Sequence, residues 1–311
     1  MRHWRRKFIM ADRSPVVRFL VGWVLYPIQA ALISFLYYAI SILPLRWATG
    51  IGSFLFQTIG PRIRVARVVE QNVRRVFPEL VDSERKSLIE NIWDNLGRGA
   101  GEFAHMQKFS HEGFDPRIEI VGLEHLDALR TGDRAGILIS AHTGNWELAA
   151  RIFGQILIPH GQVYRGANNP YVDRLLHKAR QHQDVKLVPK GRTGAVEMLR
   201  LMRRGTHFGV MMDQKLNEGV AVPFFGYDAM TATAPVELAL RNGSPIVPVR
   251  CIRLPNSYFR VEISPPIQSA ITGDRETDVM AALVEINKTI ENWIREYPEQ
   301  WFWLHRRWPK E

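Results

Sequence analysis

A histidine and an acid lie close together in the stretch I-S-A-H-T-G-N-W-E-L, residues 139–148. His142 follows a short apolar run, and Glu147 comes five residues later. On a regular helix two such residues are about 140° apart around the axis, but a turn through 143–145 would let Glu147 fold back onto one ring nitrogen. The other nitrogen could then take a proton from a hydroxyl, as in general-base catalysis. Taken alone the spacing is common, and a structural His–Glu pair fits it as well.

Several competing chemistries lack their usual motifs. The sequence has no H-E-x-x-H, no G-x-S-x-G, no G-x-x-x-x-G-K-[ST] and no G-x-G-x-x-G after a strand. Zinc protease, serine hydrolase, P-loop and dinucleotide-binding functions are therefore disfavoured. The single cysteine, Cys251, excludes an internal disulfide and a cysteine-based metal cluster within one chain, and its apolar neighbours predict a buried thiol. We expect neither a metal nor a cofactor.

Short apolar runs alternate with stretches of helical period from about residue 118. The apolar runs predict strands at 136–141, 162–164, 185–188, 208–212, 246–252 and 258–263. Helices are predicted at 145–157, 170–182, 193–204, 233–242 and from Val279 to Ile294, after a helical segment at 65–110. Such alternation is typical of βαβ units, so we predict an α/β fold with a mixed, mostly parallel sheet flanked by helices. The ligand crevice of such a sheet lies at the carboxyl ends of its strands, where His142 is found.

The N-terminal part contains an uncharged run from Phe19 to Leu45. As a helix rising about 1.5 Å per residue, this run could cross the roughly 30 Å hydrocarbon layer of a bilayer. Pro27 and Gln29 interrupt it, so a kinked span, a helical hairpin and an in-plane anchor stay open, beside a buried core helix. We predict that residues 1–60 form a basic N-terminus and a hydrophobic membrane-anchoring helix or hairpin.

The chain is basic overall, with 41 Lys and Arg residues against 31 Asp and Glu and a net charge of +10. This surplus favours an anionic partner, which could be nucleic acid, a lipid head-group surface or an acidic protein. No recognised nucleic-acid module is present, and the N-terminal apolar run favours membrane lipids. A hydrophobic content of 46% in 311 residues is ample for a sizeable core.

Six sequence blocks carry a resemblance to a known family. They are S-A-H-T-G-N-W-E-L-A-A (140–150), V-Y-R-G-A-N-N-P-Y-V-D-R-L-L (163–176), M-M-D-Q-K (211–215), P-F-F-G (223–226), N-G-S-P-I-V-P-V (242–249) and P-E-Q-W-F-W-L-H-R-R-W (298–308). In order and spacing these blocks resemble the lipid A biosynthesis acyltransferases of the bacterial inner membrane, the lauroyl/myristoyl transferase family. The combination is far more specific than any single block.

The resemblance implies an O-acyltransferase without a cofactor. Such an enzyme moves a fatty acyl group from acyl carrier protein to a hydroxyl of a phosphorylated glycolipid, a lipid A precursor, on the cytoplasmic face of the inner membrane. An H-x4-D/E dyad would then make His142 the general base and Glu147 the residue that orients it. Residues 61–311 would form the acyltransferase domain with its helical lead-in. Another lipid acceptor, such as a lysophospholipid or glycolipid, stays open, and so does a non-catalytic membrane protein that binds anionic lipid.

Substrate-binding residues are expected after two further strands. Arg165 ends one of them, where the resemblance implies that its guanidinium holds a phosphate or polarises the thioester carbonyl, and Asn168 and Asn169 follow as hydrogen-bond donors. A solvated surface arginine is the alternative for Arg165.

The block M-M-D-Q-K places three more polar residues at the same predicted edge. Asp213 and Gln214 are expected to position the acceptor or Arg165, and Lys215 adds positive charge. Turn capping is the alternative for this block. In the C-terminal block, Arg306 and Arg307 are candidate phosphate contacts.

Overall fold

Among the residues that the structure describes, seven strands form one mixed sheet in the order β1-β9-β8-β2-β5-β3-β4. The strands are β1 (Ile118–Val121), β2 (Ile137–Ser140), β3 (His160–Tyr164), β4 (Val185–Pro189), β5 (His207–Met211), β8 (Ile246–Leu254) and β9 (Tyr258–Ile263). All neighbouring pairs are parallel except β8 and β9. The computed structural model describes residues 14–109, 115–130, 132, 134–157, 159–180, 185–268 and 272–309.

Helices cover both faces of this sheet. They are α4 (Ala66–Val76), α5 (Asp82–Phe103), α6 (Asp127–Arg130), α7 (Trp146–Ile156), α8 (Pro170–Arg180), α9 (Arg192–Met202), α10 (Ala234–Asn242) and α11 (Arg275–Glu296). The central strand β2 is buried at all four positions, as a parallel strand between two helical layers must be. Its Ile137 and Ile139 belong to the core beneath α9, α10 and α11, and Leu138 belongs to the core beneath α7. The predicted α/β fold is confirmed.

A two-stranded antiparallel hairpin, β6 (Val220–Phe224) and β7 (Tyr227–Thr231), was not predicted. Its turn is Phe225-Gly226, and both residues have positive φ, at 53° and 76°. A tight two-residue hairpin turn needs such angles, and Gly226 adopts them without steric cost. The block P-F-F-G therefore marks a turn, which alternation of apolar residues alone does not reveal.

The N-terminal segment is helical throughout its described part. It comprises α1 (Pro15–Leu20), a π-helical turn (Val21–Leu25), α2 (Tyr26–Ser41) and α3 (Leu45–Ile59). The π turn directly precedes Pro27, whose missing backbone N–H interrupts the regular α-helical pattern. Among the described residues, the one helix long and apolar enough to cross a membrane is Val21–Ser41, with a mean hydropathy of 1.5.

The exposure of this apolar helix argues against a core helix. Only Ala30 of α2 is buried, whereas Phe35 is 69% exposed. The helix could therefore anchor the chain in a membrane. Next along the chain, α3 approaches α5 so closely that a Cβ on Gly52 would collide with the Gly97 carbonyl. The predicted boundary at residue 60 stays a prediction.

Candidate active site

Sheet register brings His142 beside Asp213. The last residues of β2 and β5, Ser140 and Met211, are paired in this parallel ladder, and Met212 N–H donates to the Ser140 carbonyl at 2.9 Å. His142 and Asp213 each follow two residues later, so they leave the sheet at the same level on adjacent strands. Parallel neighbours lie about 4.8 Å apart, which is close enough for their side chains to meet.

The Asp213 carboxylate is the centre of the site. His142 Nδ1 lies 2.8 Å from Asp213 Oδ1, and the His142 backbone N–H donates to Oδ2 at 3.0 Å. The Trp301 indole N–H also donates to Oδ2, at 2.8 Å. Although burial alone would raise the pKa of Asp213, the positive charge and hydrogen bonds of His142 lower that pKa to about 2. Asp213 is therefore a buried carboxylate anion with well-defined hydrogen-bond geometry.

The His142 imidazole is set up as a base. Burial disfavours its charged form, but the charge and hydrogen bond of Asp213, helped by the charge of Glu147, outweigh burial and raise the pKa of His142. Because Nδ1–H donates to Asp213, the neutral ring carries its lone pair on Nε2. The side chain is 18% exposed, and Gln214 Nε2 lies 3.4 Å from His142 Nε2. The ring is therefore partly open to solvent, and a substrate hydroxyl has to displace the Gln214 amide to reach Nε2.

The C-terminal segment closes over the histidine turn. Phe302 N–H donates to the His142 carbonyl and Gly144 N–H to the Gln300 carbonyl, both at 2.9 Å. The rings of Trp146 and Phe302 flank the imidazole, with centroids 5.3 and 6.0 Å from it. These aromatic rings and the Trp301 indole shield the His142–Asp213 pair from bulk water, which strengthens the attraction between them. Reasoning from strand ends missed Trp301, although it lies in a block that carried the resemblance.

Two residues fix the turn that follows His142. Gly144 has φ of 55°, and a Cβ there would collide with the Cys251 carbonyl, so only glycine fits. Asn145 caps α7 by accepting a hydrogen bond from Leu148 N–H at 3.1 Å, and its Nδ2 donates to Glu102 Oε2 at 2.8 Å. The turn is therefore tied to the protein interior at two successive positions.

The ring hydrogen bond expected of Glu147 is made by Asp213. Glu147 lies in the first turn of α7 and acts on His142 through its charge. The sequence argument considered only a local fold-back of the chain. The predicted strands placed Asp213 at the same edge of the sheet, but they did not reveal that β5 is the immediate neighbour of β2. The catalytic role of Glu147 stays a prediction.

The remaining predicted substrate-binding residues lie in different environments. Arg165 and Asn168 are exposed after β3, and Lys215 is half-buried beside Gln214. Asn169 is buried, and its Oδ1 accepts a hydrogen bond from Tyr171 N–H at 3.0 Å at the start of α8.

Asn169 also connects the sheet edge to the apolar N-terminal helix. Its Nδ2 donates to the Tyr26 carbonyl at 2.8 Å and to Gln29 Oε1 at 3.0 Å. Both oxygens of this contact lie beside Pro27, where the helix departs from regular geometry. These contacts favour a structural role for Asn169 over the binding of substrate.

The C-terminal arginines also differ. Arg307 is fully buried, and it donates to the Met230 carbonyl and to Thr231 Oγ1, both at 2.7 Å. Burial lowers the pKa of Arg307 to about 10. Its guanidinium joins the C-terminal segment to β7, so the prediction that Arg307 contacts a phosphate was wrong. Arg306 is exposed, as a phosphate contact would have to be.

An apolar cavity of about 60 Å³ lies between the sheet and α7. Its wall includes Ser140, two residues before His142, and the side chains of Leu138, Phe153 and Val249. Cys251, in the same core, is buried as predicted, and burial raises the pKa of its thiol to about 12. Among the residues that the structure describes, no group of three or more His, Cys, Asp or Glu side chains is arranged to hold a metal ion.

A histidine at the carboxyl edge of a parallel sheet, held by a buried carboxylate, has the geometry of a general base. The family of bacterial lipid A biosynthesis acyltransferases matches residues 15–310, and the chain belongs to that family. The lipid A biosynthesis lauroyltransferase of Escherichia coli (strain K12) is 28% identical over 248 residues, which are 78% of this chain and 79% of the relative. The palmitoleoyltransferase of the same strain is 23% identical over 83% of this chain and 82% of the relative.

A relative with a different named acceptor is also similar. The phosphatidylinositol mannoside acyltransferase of Mycolicibacterium smegmatis (strain ATCC 700084 / mc(2)155) is 22% identical over 77% of this chain and 78% of the relative. The resemblance inferred from the six sequence blocks is confirmed, and the chain is an acyltransferase of lipid A biosynthesis by family.

Proposed function

We propose that the chain is a membrane-anchored O-acyltransferase that moves a fatty acyl group from acyl carrier protein to a hydroxyl of a lipid A precursor. The observation that carries this proposal is the His142 imidazole, whose Nδ1 is held 2.8 Å from a buried carboxylate oxygen of Asp213. This arrangement leaves Nε2 as the proton acceptor at the carboxyl edge of the sheet.

The reaction needs no covalent enzyme intermediate. His142 Nε2 takes the proton of the acceptor hydroxyl while its oxygen attacks the thioester carbonyl carbon. The tetrahedral intermediate then collapses, the carbon–sulfur bond breaks, and the imidazolium returns its proton to the leaving thiolate. Asp213 stays ionised and stabilises the imidazolium, and Glu147 adds a second negative charge nearby. We retain Glu147 as part of the proposed catalytic group, in an electrostatic role.

The proposed location follows from charge and from exposed apolar surface. The helix Val21–Ser41 would anchor the enzyme in the bacterial inner membrane, with the site on the cytoplasmic face where acyl carrier protein is present. The net charge of +10 suits an acidic carrier protein, a phosphorylated acceptor and an anionic lipid surface. The apolar cavity next to Ser140 would offer part of the acyl chain a dry environment.

Replacing His142 tests this proposal. We expect His142→Ala to lower the rate of acyl transfer from acyl carrier protein thioesters to a lipid A precursor by roughly 10²- to 10⁴-fold, because the general base is lost. His125→Ala is the matched control. His125 follows β1, and the antiparallel pairing of β8 with β9 places the carboxyl end of β1 opposite to that of β2, away from His142. Products would be measured by mass spectrometry. Transfer by His142→Ala at the rate of the control variant would rule out the proposed base.

Another lipid acceptor is the second candidate, and the similarity to a mannoside acyltransferase is the observation that favours it. A panel of acceptors under equal conditions separates the two. We expect the highest kcat/KM with a lipid A precursor, and a preference for a lysophospholipid or a mannoside would instead support the second candidate. Absence of transfer to every acceptor would favour a non-catalytic protein that binds anionic lipid.

A further inference from the structure

Two cationic side chains stand next to each other at the edge of the sheet that holds His142. The last residues of β3 and β4, Tyr164 and Pro189, are paired, and Lys190 N–H donates to the Tyr164 carbonyl at 3.0 Å. Arg165 and Lys190 are the next residues on these parallel strands, so their Cα atoms leave the sheet about 5 Å apart. Both residues are exposed.

Two described carboxylates, Asp213 and Glu218, act on Lys190 through their charge, but neither forms an ion pair with this pair of cations. Among the described residues, neither Arg165 nor Lys190 has a carboxylate within 4.0 Å. Partial desolvation and the neighbouring Arg165 charge lower the pKa of Lys190. Two like charges held side by side repel each other, and an anion between them would remove that cost.

The Lys190 charge also acts on the residues of the candidate active site. Its positive charge lowers the pKa of His142 and of His305, in each case as a minor contribution beside burial, and interacts favourably with the Asp213 anion. Strand order places β3 two strands and β4 three strands from β2. At about 4.8 Å per strand, the two cations therefore start roughly 10 to 14 Å from His142. Arg165 and Lys190 therefore lie on the same edge of the sheet as His142, a few strands away.

We propose that Arg165 and Lys190 together bind a phosphate ester of the substrate beside His142, with Lys190 as a specificity-determining residue. The inference rests on the proposed acyl transfer and names the chemistry that its acceptor must carry. A planar guanidinium can take two phosphate oxygens, and the ammonium adds a compact charge to the third. The proposed saccharide acceptor carries a phosphate, and the phosphopantetheine arm of the donor contains the same chemical group.

The experiment compares Lys190→Gln with Lys190→Arg and with the control Lys186→Gln. Lys186 is exposed on the same strand, four residues before Lys190, which places it about 13 Å away along β4. Steady-state kinetics would use a phosphorylated acceptor and the same acceptor without its phosphate, each at saturating donor. We expect Lys190→Gln to raise the KM for the phosphorylated acceptor about tenfold or more, with kcat little changed. Lys190→Arg should restore most of the affinity, and the dephosphorylated acceptor should not distinguish the variants.

A second set of measurements tests whether the bound phosphate belongs to the acyl donor. Acyl pantetheine and acyl phosphopantetheine thioesters are compared at saturating acceptor. An increase in KM that Lys190→Gln causes only for the phosphorylated donor would support the phosphate site and assign it to the donor. If Lys190→Gln has the same KM values as Lys186→Gln for both the acceptor and the donor, the inference is overturned.

Failure of the proposed function is distinguishable from failure of this inference. If the wild-type protein transfers no acyl group, the reaction is wrong, and the phosphate site is tested by binding alone. Equilibrium binding of the phosphorylated glycolipid in detergent should weaken about tenfold in Lys190→Gln relative to Lys186→Gln. Equal binding of both the phosphorylated glycolipid and acyl phosphopantetheine by these two variants would overturn the phosphate site, whatever the reaction.

Discussion

Two buried carboxylates on either side of the histidine turn have different partners. Glu102 is fully buried, forms an ion pair with Arg253 and accepts a hydrogen bond from Asn145. Asp213 is 2% exposed, and its ionic partner is the His142 imidazole. An arginine keeps its charge throughout the physiological pH range, whereas an imidazole gains and loses a proton there.

Because of this difference, Glu102 is suited to supporting the fold and Asp213 is suited to assisting proton transfer. The Glu102 carboxylate is paired with a guanidinium and bonded to Asn145, so it holds the start of α7 in place. The Asp213 pair is neutralised only while His142 is protonated, so its charge balance changes with each proton that His142 accepts. A buried acid beside a histidine is therefore poised for catalysis, and a buried acid beside an arginine is poised for stability.

Replacement of Asp213 should have the largest effect on activity. Asp213→Asn keeps the side-chain size but removes the charge that raises the pKa of His142, so we expect kcat/KM to fall roughly 10²- to 10⁴-fold. The acid limb of the pH–rate profile should move to lower pH, because the imidazole loses its proton more readily. A loss of activity with an unshifted profile would mean that Asp213 only supports the fold.

Replacement of Arg253 should have the largest effect on stability. Arg253→Met leaves Glu102 buried without its ionic partner, which we expect to cost about 3 to 5 kcal/mol of unfolding free energy. Denaturant unfolding in detergent measures this change. Adding Glu102→Gln to Arg253→Met should recover much of the loss, whereas equal instability of the single and double variants would contradict the assigned ion pair.

Replacement of Glu147 should have an intermediate effect. Glu147→Gln removes the weaker of the two negative charges that raise the pKa of His142, so we expect kcat/KM to fall about tenfold and the acid limb to shift less than in Asp213→Asn. If Glu147→Gln instead lost more activity than Asp213→Asn, Glu147 would be the main partner of the base in the working enzyme.

The smallest expected effect is a pH dependence of stability. Because the pKa of His142 is raised in the folded state, its pairing stabilises the fold fully below the unfolded value of 6.5, and this stabilisation is lost as the pH rises through the folded value. The difference in unfolding free energy between wild type and His142→Gln should therefore be larger at pH 6 than at pH 9. Buried His160, with a pKa of about 3, has the opposite sign in both proteins and cancels in the difference. A difference that grows with pH would contradict the pairing.

Periodicity of apolar residues predicted most of the fold. The helices at 145–157, 170–182, 193–204 and 233–242 all match observed helices to within two residues at each end. The hairpin β6–β7 escaped because its strands are short and half-exposed, and because β6 contains Pro223, which argues against a strand within a sheet.

The site was predicted in its location but not in its pairing. His142 and Asp213 were each placed at a strand end, yet strand order, which makes β2 and β5 neighbours, is a property of the whole chain. Glu147 was chosen as the partner because it is close in sequence. Trp301 reaches Asp213 across 88 residues, and no local pattern contains such a contact.

That long-range contact sets the moment at which a growing chain becomes active. Phe302 and Trp301 join the histidine turn and the Asp213 carboxylate by hydrogen bonds, so the site is unfinished until both have left the ribosome. An incomplete nascent chain would carry the histidine without the contacts of Trp301 and Phe302 that complete its surroundings. The candidate site is therefore completed only after the C-terminal segment has been synthesised.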